Sequence, residues 1–141
     1  MKQKIVLAYS GGLDTSFCIL HLIDKGYEVH AVSVNTGGFD DEELKTLESR
    51  AYQLGAKAYA CLDVTEDYYI HCIRYLIYGN VLRNGTYPLS VSSERAFQAM
   101  GVLKYAKENG IDKVSHGSTG AGNDQTLLSA RHEAYRIFAP I

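Results

Sequence analysis

Apolar positions along this chain gather in short runs, separated by stretches in which they recur every three or four residues. KIVLAY (4–9) and EVHAVSV (28–34) are rich in Val, Ile and Ala and leave little room for a polar face, as expected of parallel strands covered on both sides. AKAYACL (56–62) is a weaker run of the same kind and KVS (113–115) a short one, while YRIFAPI (135–141) reads as a further strand. Between the first two runs, Leu13, Phe17, Leu20 and Asp24 mark successive turns of a helix from Asp14 to Lys25. Ile19, Leu22 and Ile23 widen its apolar face, and Gly26 supplies a stop. A second helix can be capped by Asp40 or Asp41, carries acidic side chains in its first turn, repeats Leu44, Leu47, Ala51 and Leu54, and ends at Gly55. A third is expected from Glu66 to Tyr78 and a fourth from Ser93 to Asn109. Strands alternating with helices predict an α/β fold, a doubly wound parallel sheet in a single domain. Right-handed crossovers gather the C-terminal ends of such strands along one edge, where ligands bind.

Composition refines this picture mainly by exclusion. The 141 residues, 46% apolar and 21% charged, suffice for one buried core. A formal net charge of −2 with scattered Lys and Arg argues against a nucleic-acid partner. The apolar runs are too short for a membrane span, and the N-terminus MKQKIVLAYSGG is too short in apolar residues for a signal peptide. No membrane partner is therefore expected, and the expected location is cytoplasmic. Cys18, Cys61 and Cys72 are odd in number, lack CxxC spacing and read as buried, reduced thiols. His21, His30 and His71 are isolated and no HExxH occurs, so no zinc site is expected. Tyr68, Tyr69, Tyr75 and Tyr78 fall on a helix face near Ile73, Leu76 and Ile77 and are expected in a core or interface.

The stretch AYSGGLDTS (8–16) leaves the first strand and enters the first helix, at the ligand-binding edge. Gly11 and Gly12 permit close backbone approach, and the helix N-terminus offers unpaired N–H groups and partial positive charge. Together they favour an oxyanion, phosphate above all. Ser10, Thr15 and Ser16 add hydroxyl donors, whereas Asp14 repels phosphate unless it caps a backbone N–H or helps hold a divalent metal. An ordinary glycine turn capped by Asp14 or Thr15 is the competing reading. Neither GxxxxGK(S/T) nor GxGxxG occurs, which excludes the lysine-bearing phosphate loop and the dinucleotide fingerprint. HGSTGAGND follows KVS on the same edge, and its Gly117, Gly120 and Gly122 alternate with small polar residues. Such a loop can close over a phosphate or carboxylate, or be a plain surface turn. His116 opens it, either as a positioning residue or as a strand-end side chain. NGTYPLSVSSERA (84–96) reads on its own as an Asn-Gly turn, an extended Tyr87-Pro88 pair and a helix capped by Ser92 or Ser93, with Glu94 in its first turn. Arg95 would pair with a carboxylate or with a neighbouring acid.

SGGLDTS resembles the PP-loop of ATP pyrophosphatases, which release pyrophosphate while adenylating a substrate. Its Thr before the final Ser is similar to the argininosuccinate synthase family in particular. NGTYPLSVSSERA is similar to that family's citrulline segment, and HGSTGAGNDQ (116–125) to its loop for ATP and aspartate, in the same order and spacing. The resemblance runs from residue 4 to about 125. It implies that ATP is bound by Ala8, Tyr9, Ser10, Gly11, Gly12, Asp14, Thr15, Ser16 and Gly117, with the backbone of Val34 at the adenine. It further implies citrulline binding by Tyr87, Ser92 and Asn123, and aspartate binding by Thr119, Asn123 and Asp124. Mg²⁺ would be carried by the ATP, with no metal motif of the protein's own and no catalytic side chain assigned. In the implied reaction the ureido oxygen of citrulline attacks the α-phosphorus, pyrophosphate leaves, and aspartate displaces AMP to give argininosuccinate in arginine biosynthesis. The protein would contribute charge stabilisation and alignment rather than a nucleophile.

The resemblance breaks after Gln125. The family continues with a Val-Arg-Phe-like sequence whose Arg binds the citrulline carboxylate, where this chain has Thr126, Leu127 and Leu128. Arg131 or Arg136 could substitute from a shifted position, and many members carry Lys where Ala121 stands. The family's second, synthetase domain and C-terminal oligomerisation helix have no counterpart in residues 1–141. The chain is therefore expected to be a fragment of a synthase or a free-standing ATP-binding domain, feeble in turnover alone. A homo-oligomer is expected through the 66–78 helix or the 135–141 tail. A non-catalytic ATP-binding module is an alternative reading. Another PP-loop enzyme, such as a tRNA-modifying ligase, is a second, but those usually bring a basic surface or catalytic cysteines, which are not evident in this sequence.

Overall fold

The computed structural model describes residues 2–118 and 136–138. Five strands run parallel: β1 (Lys4–Ala8), β2 (Glu28–Asn35), β3 (Ala58–Asp63), β6 (Lys113–His116) and β7 (Arg136–Phe138), in the spatial order β3-β2-β1-β6-β7. Alternation along β1 sends its side chains to two cores. Ile5 and Leu7 pack with Val29 and Ala31 against α1 (Leu13–Asp24) and α2 (Asp41–Gln53). Val6 packs with Val32, Val34 and Val114 beneath Val102 and Ala106 of α5 (Ser90–Glu108). Helices on both faces make the sheet doubly wound and leave Ile5, Val6 and Leu7 with no exposed surface. Each is worth about 1.5–3 kcal/mol of burial. The chain builds outward from β1 through β2 to β3, then returns to the other side of β1 as β6. That reversal opens a crevice beyond the C-terminal ends of β1 and β6.

Helix α1 begins at Leu13, and Gly12 occupies its N-cap without a side-chain hydrogen bond, so neither Asp14 nor Thr15 is the cap. Its buried face is Thr15, Cys18, Ile19 and Leu22 rather than the Leu13–Phe17–Leu20 line, which is 86%, 52% and 50% exposed. Apolar residues surround this helix on nearly every side, so periodicity admits two faces and the sheet selects the one carrying Ile19 and Leu22. At α2 the cap is Asp40: its carboxylate accepts from the N–H groups of Glu42 and Glu43, while Glu43 accepts from the Asp40 N–H. Strand β3 begins at Ala58 because Ala56 N–H still bonds the Ala51 carbonyl of the preceding helix end. Cys18 is buried, whereas Cys61 and Cys72 are only half-buried, and none of the three is in a disulfide.

The single helix expected over 66–78 is interrupted. Helix α3 (Thr65–Tyr68) passes through a π-helical segment, Tyr69–Ile73, into α4 (Arg74–Tyr78). The wider turn rotates the following residues away from the face set by α3. Tyr68 is accordingly the buried tyrosine of this segment, packed on Phe97 and donating to the Ser90 carbonyl at 2.6 Å, while Tyr69, Tyr75 and Tyr78 are exposed. A hairpin of β4 (Leu82–Arg83) and β5 (Tyr87–Pro88) follows, turning on Asn84 and Gly85, both at positive φ. Helix α5 starts at Ser90, so Ser92 and Ser93 lie inside its first turn instead of capping it, and the Ser93 hydroxyl bonds back to the Ser90 carbonyl. The predicted terminal strand is present as β7, paired with β6 from Arg136 to Phe138. Among the described residues no helix is long and apolar enough to cross a membrane.

Candidate functional site

A cavity of about 380 Å³ occupies the crevice. One wall is the segment 8–15, contributing Ala8, Tyr9, Ser10, Gly12, Asp14 and Thr15. The other comes from the end of β6 with His116, Gly117 and Ser118. Val34, Phe39, Arg95, Gln98 and Val102 line it from β2, the loop after β2, and α5. Ser16 N–H donates to the Gly12 carbonyl at 3.0 Å and closes the first helical hydrogen bond. The N–H groups of Gly12 to Thr15 therefore have no intrahelical acceptor and make an anion-favouring end. The Thr15 hydroxyl lies 3.3 Å from both the Gly12 carbonyl and the Ser10 hydroxyl.

The two loop glycines do different work. Gly11 has φ +76°, and a Cβ there would fall 2.1 Å from Leu47 Cδ2. Arg50 Nη1 also donates to the Gly11 carbonyl at 3.0 Å, so α2 grips the loop from behind. Gly12 has φ −71° and ψ 172°, ordinary extended backbone, and a Cβ there would meet nothing nearer than Ser10 Oγ at 3.5 Å. Across the cleft, a Cβ on Gly117 would lie 2.9 Å from Thr15 Cγ2 and 3.4 Å from Thr15 N. Glycine at 117 thus lets the backbone after β6 lie directly on the N-terminus of α1.

The electrostatics of the cavity rest on few groups. Gln98 accepts from Arg95 Nη1 at 2.8 Å and donates to Glu94 at 2.7 Å, and Glu94 also accepts from the Thr36 hydroxyl at 2.9 Å. This chain of bonds fixes the guanidinium side of the cleft to the loop after β2. Among the described residues, Asp14 is the one carboxylate lining the cavity, and no group of three or more His, Cys, Asp or Glu gathers to hold a metal. His116 is 3% exposed. Its Nδ1 accepts from the Ser118 N–H at 3.2 Å, and its Nε2 is buried with no partner among the described residues. An unpaired buried donor costs about 1–3 kcal/mol.

Burial pushes the imidazole of His116 below its ordinary value. Burial does the same to His30, opposed by Glu28 and reinforced by Lys4, with the His30 Nδ1 lying 3.1 Å from the Tyr105 hydroxyl. Both groups bind protons more readily in the unfolded chain, so stability is complete above the unfolded histidine value of about 6.5 and declines as pH falls below it. Asp63, held below the usual carboxylate range by Thr65, acts only at lower pH. Urea unfolding should show a lower midpoint at pH 5.5 than at pH 7.5, and His30→Gln with His116→Gln should flatten that difference. Equal midpoints for the parent protein would refute it.

Of the residues expected at the site, Ala8, Tyr9, Ser10, Gly12, Asp14, Thr15, Val34 and Gly117 come together around the cavity. Gly11 lies in the same loop and Ser16 in the first turn of α1, and neither lines the cavity. Tyr87 is half-exposed on the hairpin and Ser92 sits in the first turn of α5, both outside the lining. Thr119, Asn123 and Asp124, with Ala121, Thr126–Leu128 and Arg131, lie outside the described residues. Sequence reasoning missed Val32, Phe39, Gln98, Val102 and Ser118 as lining residues. Gln98 follows Arg95 by three and Val102 follows Gln98 by four, a helical spacing that was present as a signal; Phe39 had none.

The family model described as the arginosuccinate synthase N-terminal HUP domain matches residues 4–140. An argininosuccinate synthase of Xanthomonas axonopodis pv. citri is 42% identical over 142 aligned positions, which take in 99% of this chain and 34% of that protein. One of Staphylococcus saprophyticus is 37% identical over 145 positions, covering 100% of this chain and 36% of its own length. The chain thus spans about a third of the length of the curated relatives it matches. Among solved structures, a predicted tRNA methyltransferase subunit from Methanocaldococcus jannaschii superimposes with a TM-score of 0.64 at 17% identity, over 99% of this chain and 68% of the other. A 4-thiouridine synthetase–RNA complex with bound ATP does so at 0.66 and 14%, over 98% of this chain and 36% of the other. These two likenesses show the fold alone. With the profile covering nearly the whole chain and the relatives above a third identical, the chain belongs to the argininosuccinate synthase family, whose N-terminal HUP domain it carries.

Proposed function

We propose that this domain binds Mg-ATP on the Ser10–Ser16 loop and supplies the nucleotide site of an enzyme that joins citrulline to aspartate, releasing AMP and pyrophosphate. The observation that carries the reading is the glycine loop at the N-terminus of α1, lining the cavity together with Gly117, whose backbone lies against Thr15. Family membership and the bound ATP of the 4-thiouridine synthetase structure support it. The free N–H groups of residues 12–15 and the Ser10 and Thr15 hydroxyls would hold the phosphates, and the apolar end at Val34, Phe39 and Val102 would take the base. Magnesium supplies charge neutralisation on the phosphates, and the cavity fits an ion carried that way, with Asp14 as its one lining carboxylate among the described residues.

The protein's part in the chemistry is then to orient ATP so that the ureido oxygen of citrulline attacks the α-phosphorus in line with the departing pyrophosphate. The amine of aspartate next attacks the activated carbon, and AMP leaves with the oxygen. No side chain lining the cavity is required as a nucleophile. Thr126, Leu127 and Leu128, standing where the family carries a citrulline-binding Arg, favour a second reading in which this chain binds ATP without turnover. Mg-ATP at about 100 times its Kd should stabilise the domain by about 2.7 kcal/mol in a thermal melt. No stabilisation by Mg-ATP would sink both readings. Pyrophosphate release dependent on citrulline separates them, since its absence in an ATP-binding protein selects the second.

A further inference from the structure

We propose that His116 contacts the nucleotide directly, its Nε2–H donating to a phosphate oxygen held on the Ser10–Ser16 loop; the inference rests on the nucleotide reading above. Ser118 N–H is a donor only, so the His116 Nδ1 it meets must be the unprotonated nitrogen, and the ring proton of the neutral imidazole lies on Nε2. That N–H is buried with no partner among the described residues, on a side chain that lines the cavity. Buried donors are almost always paired, so an orphan on a cavity-lining side chain calls for an acceptor, which a ligand in that cavity would supply.

Position selects the kind of acceptor. Pairing of β6 with β1 sets His116 beside Ala8, two residues before Ser10. The next residue, Gly117, lies on Thr15 at the N-terminus of α1. His116 is therefore at the phosphate-favouring end of the cavity and shares the sheet edge with the loop. Protonation of Nδ1 would set it donor-to-donor against Ser118 N–H, so the ring stays a neutral donor, and burial favours the same form. A neutral donor aligns a phosphate without adding charge that the departing pyrophosphate would have to leave behind.

Calorimetric titration of Mg-ATP into the parent chain, His116→Phe and His116→Gln tests this, together with NMR of the histidine ring nitrogens in the parent. The Phe variant should bind about 10- to 100-fold more weakly. The Gln variant, which restores an N–H donor, should recover at least part of the loss. In the parent, the His116 Nε2 resonance should move with Mg-ATP and stay in place with adenosine. Unchanged affinity in the Phe variant, an equal loss in both variants, or an Nε2 resonance unmoved by Mg-ATP overturns the proposal. If His116→Phe does not fold, the NMR result on the parent decides alone. A parent that fails to bind Mg-ATP refutes the nucleotide reading and the inference with it, whereas binding with a silent His116 refutes the inference only.

Discussion

Replacing Gly12 by valine should abolish Mg-ATP binding and leave the domain folded. Gly12 already has the extended backbone that valine prefers, and only Ser10 Oγ approaches the space its Cβ would fill. As the N-cap of α1 it contributes no side-chain hydrogen bond, so the stability cost should stay within about 1 kcal/mol. The branched side chain would instead stand in the cavity over the free N–H groups of α1, where the phosphates are proposed to lie. A loss of at least about 100-fold in affinity, equal to about 2.7 kcal/mol, is expected by calorimetry. A folded Gly12→Val protein that binds Mg-ATP as the parent does would remove the site from this loop.

Gly11→Ala should do the reverse and strike the fold. Its left-handed φ of +76° costs an alanine about 1–2 kcal/mol. The new Cβ would also overlap Leu47, which is buried in the core between α2 and the sheet, adding about 1–3 kcal/mol of overpacking. Urea unfolding should therefore show a loss of roughly 2–5 kcal/mol. In a Leu47→Ala background the steric share should vanish and the dihedral share remain, so the cost of Gly11→Ala should fall. Equal costs in both backgrounds would show that Leu47 is not the obstacle.

Two adjacent glycines that look alike in the motif thus divide between holding the loop and bordering the cavity, and this division was not legible in the sequence. It depends on α2, which supplies Leu47 and Arg50 from 36 and 39 residues away. What was legible was local: β1 and β2 from runs rich in Val, Ile and Ala, a cap of α2 narrowed to Asp40 or Asp41 by its acidic turn, and a glycine loop where the first strand ends. Helix α1 was placed correctly and its face only half so: Ile19 and Leu22 are buried as expected, but the line Leu13, Phe17 and Leu20 points outward. The π-helical segment at Tyr69–Ile73 carries no pattern that single-sequence periodicity detects, and it splits the expected tyrosines, burying Tyr68 and leaving Tyr69, Tyr75 and Tyr78 exposed. His116 was visible as the residue opening a loop, but only the Ser118 N–H on its Nδ1 reveals which nitrogen is left without a partner among the described residues.

The central place of β1 has a consequence for how the chain is made. Its first neighbour, β2, emerges soon after it, but its second, β6, lies about a hundred residues further on. At 5–20 residues per second, synthesis of that interval takes roughly 5–20 s. For that time the strand at the heart of the finished sheet can have only one edge paired, leaving a row of open N–H and C=O groups on a segment whose Ile5, Val6 and Leu7 end up wholly buried. Lys2 and Lys4 flank the start of this run, charges that discourage another chain from pairing there. The nascent protein is thus open to wrong partners along β1, which leaves the ribosome well before Lys113–His116 arrive to close it.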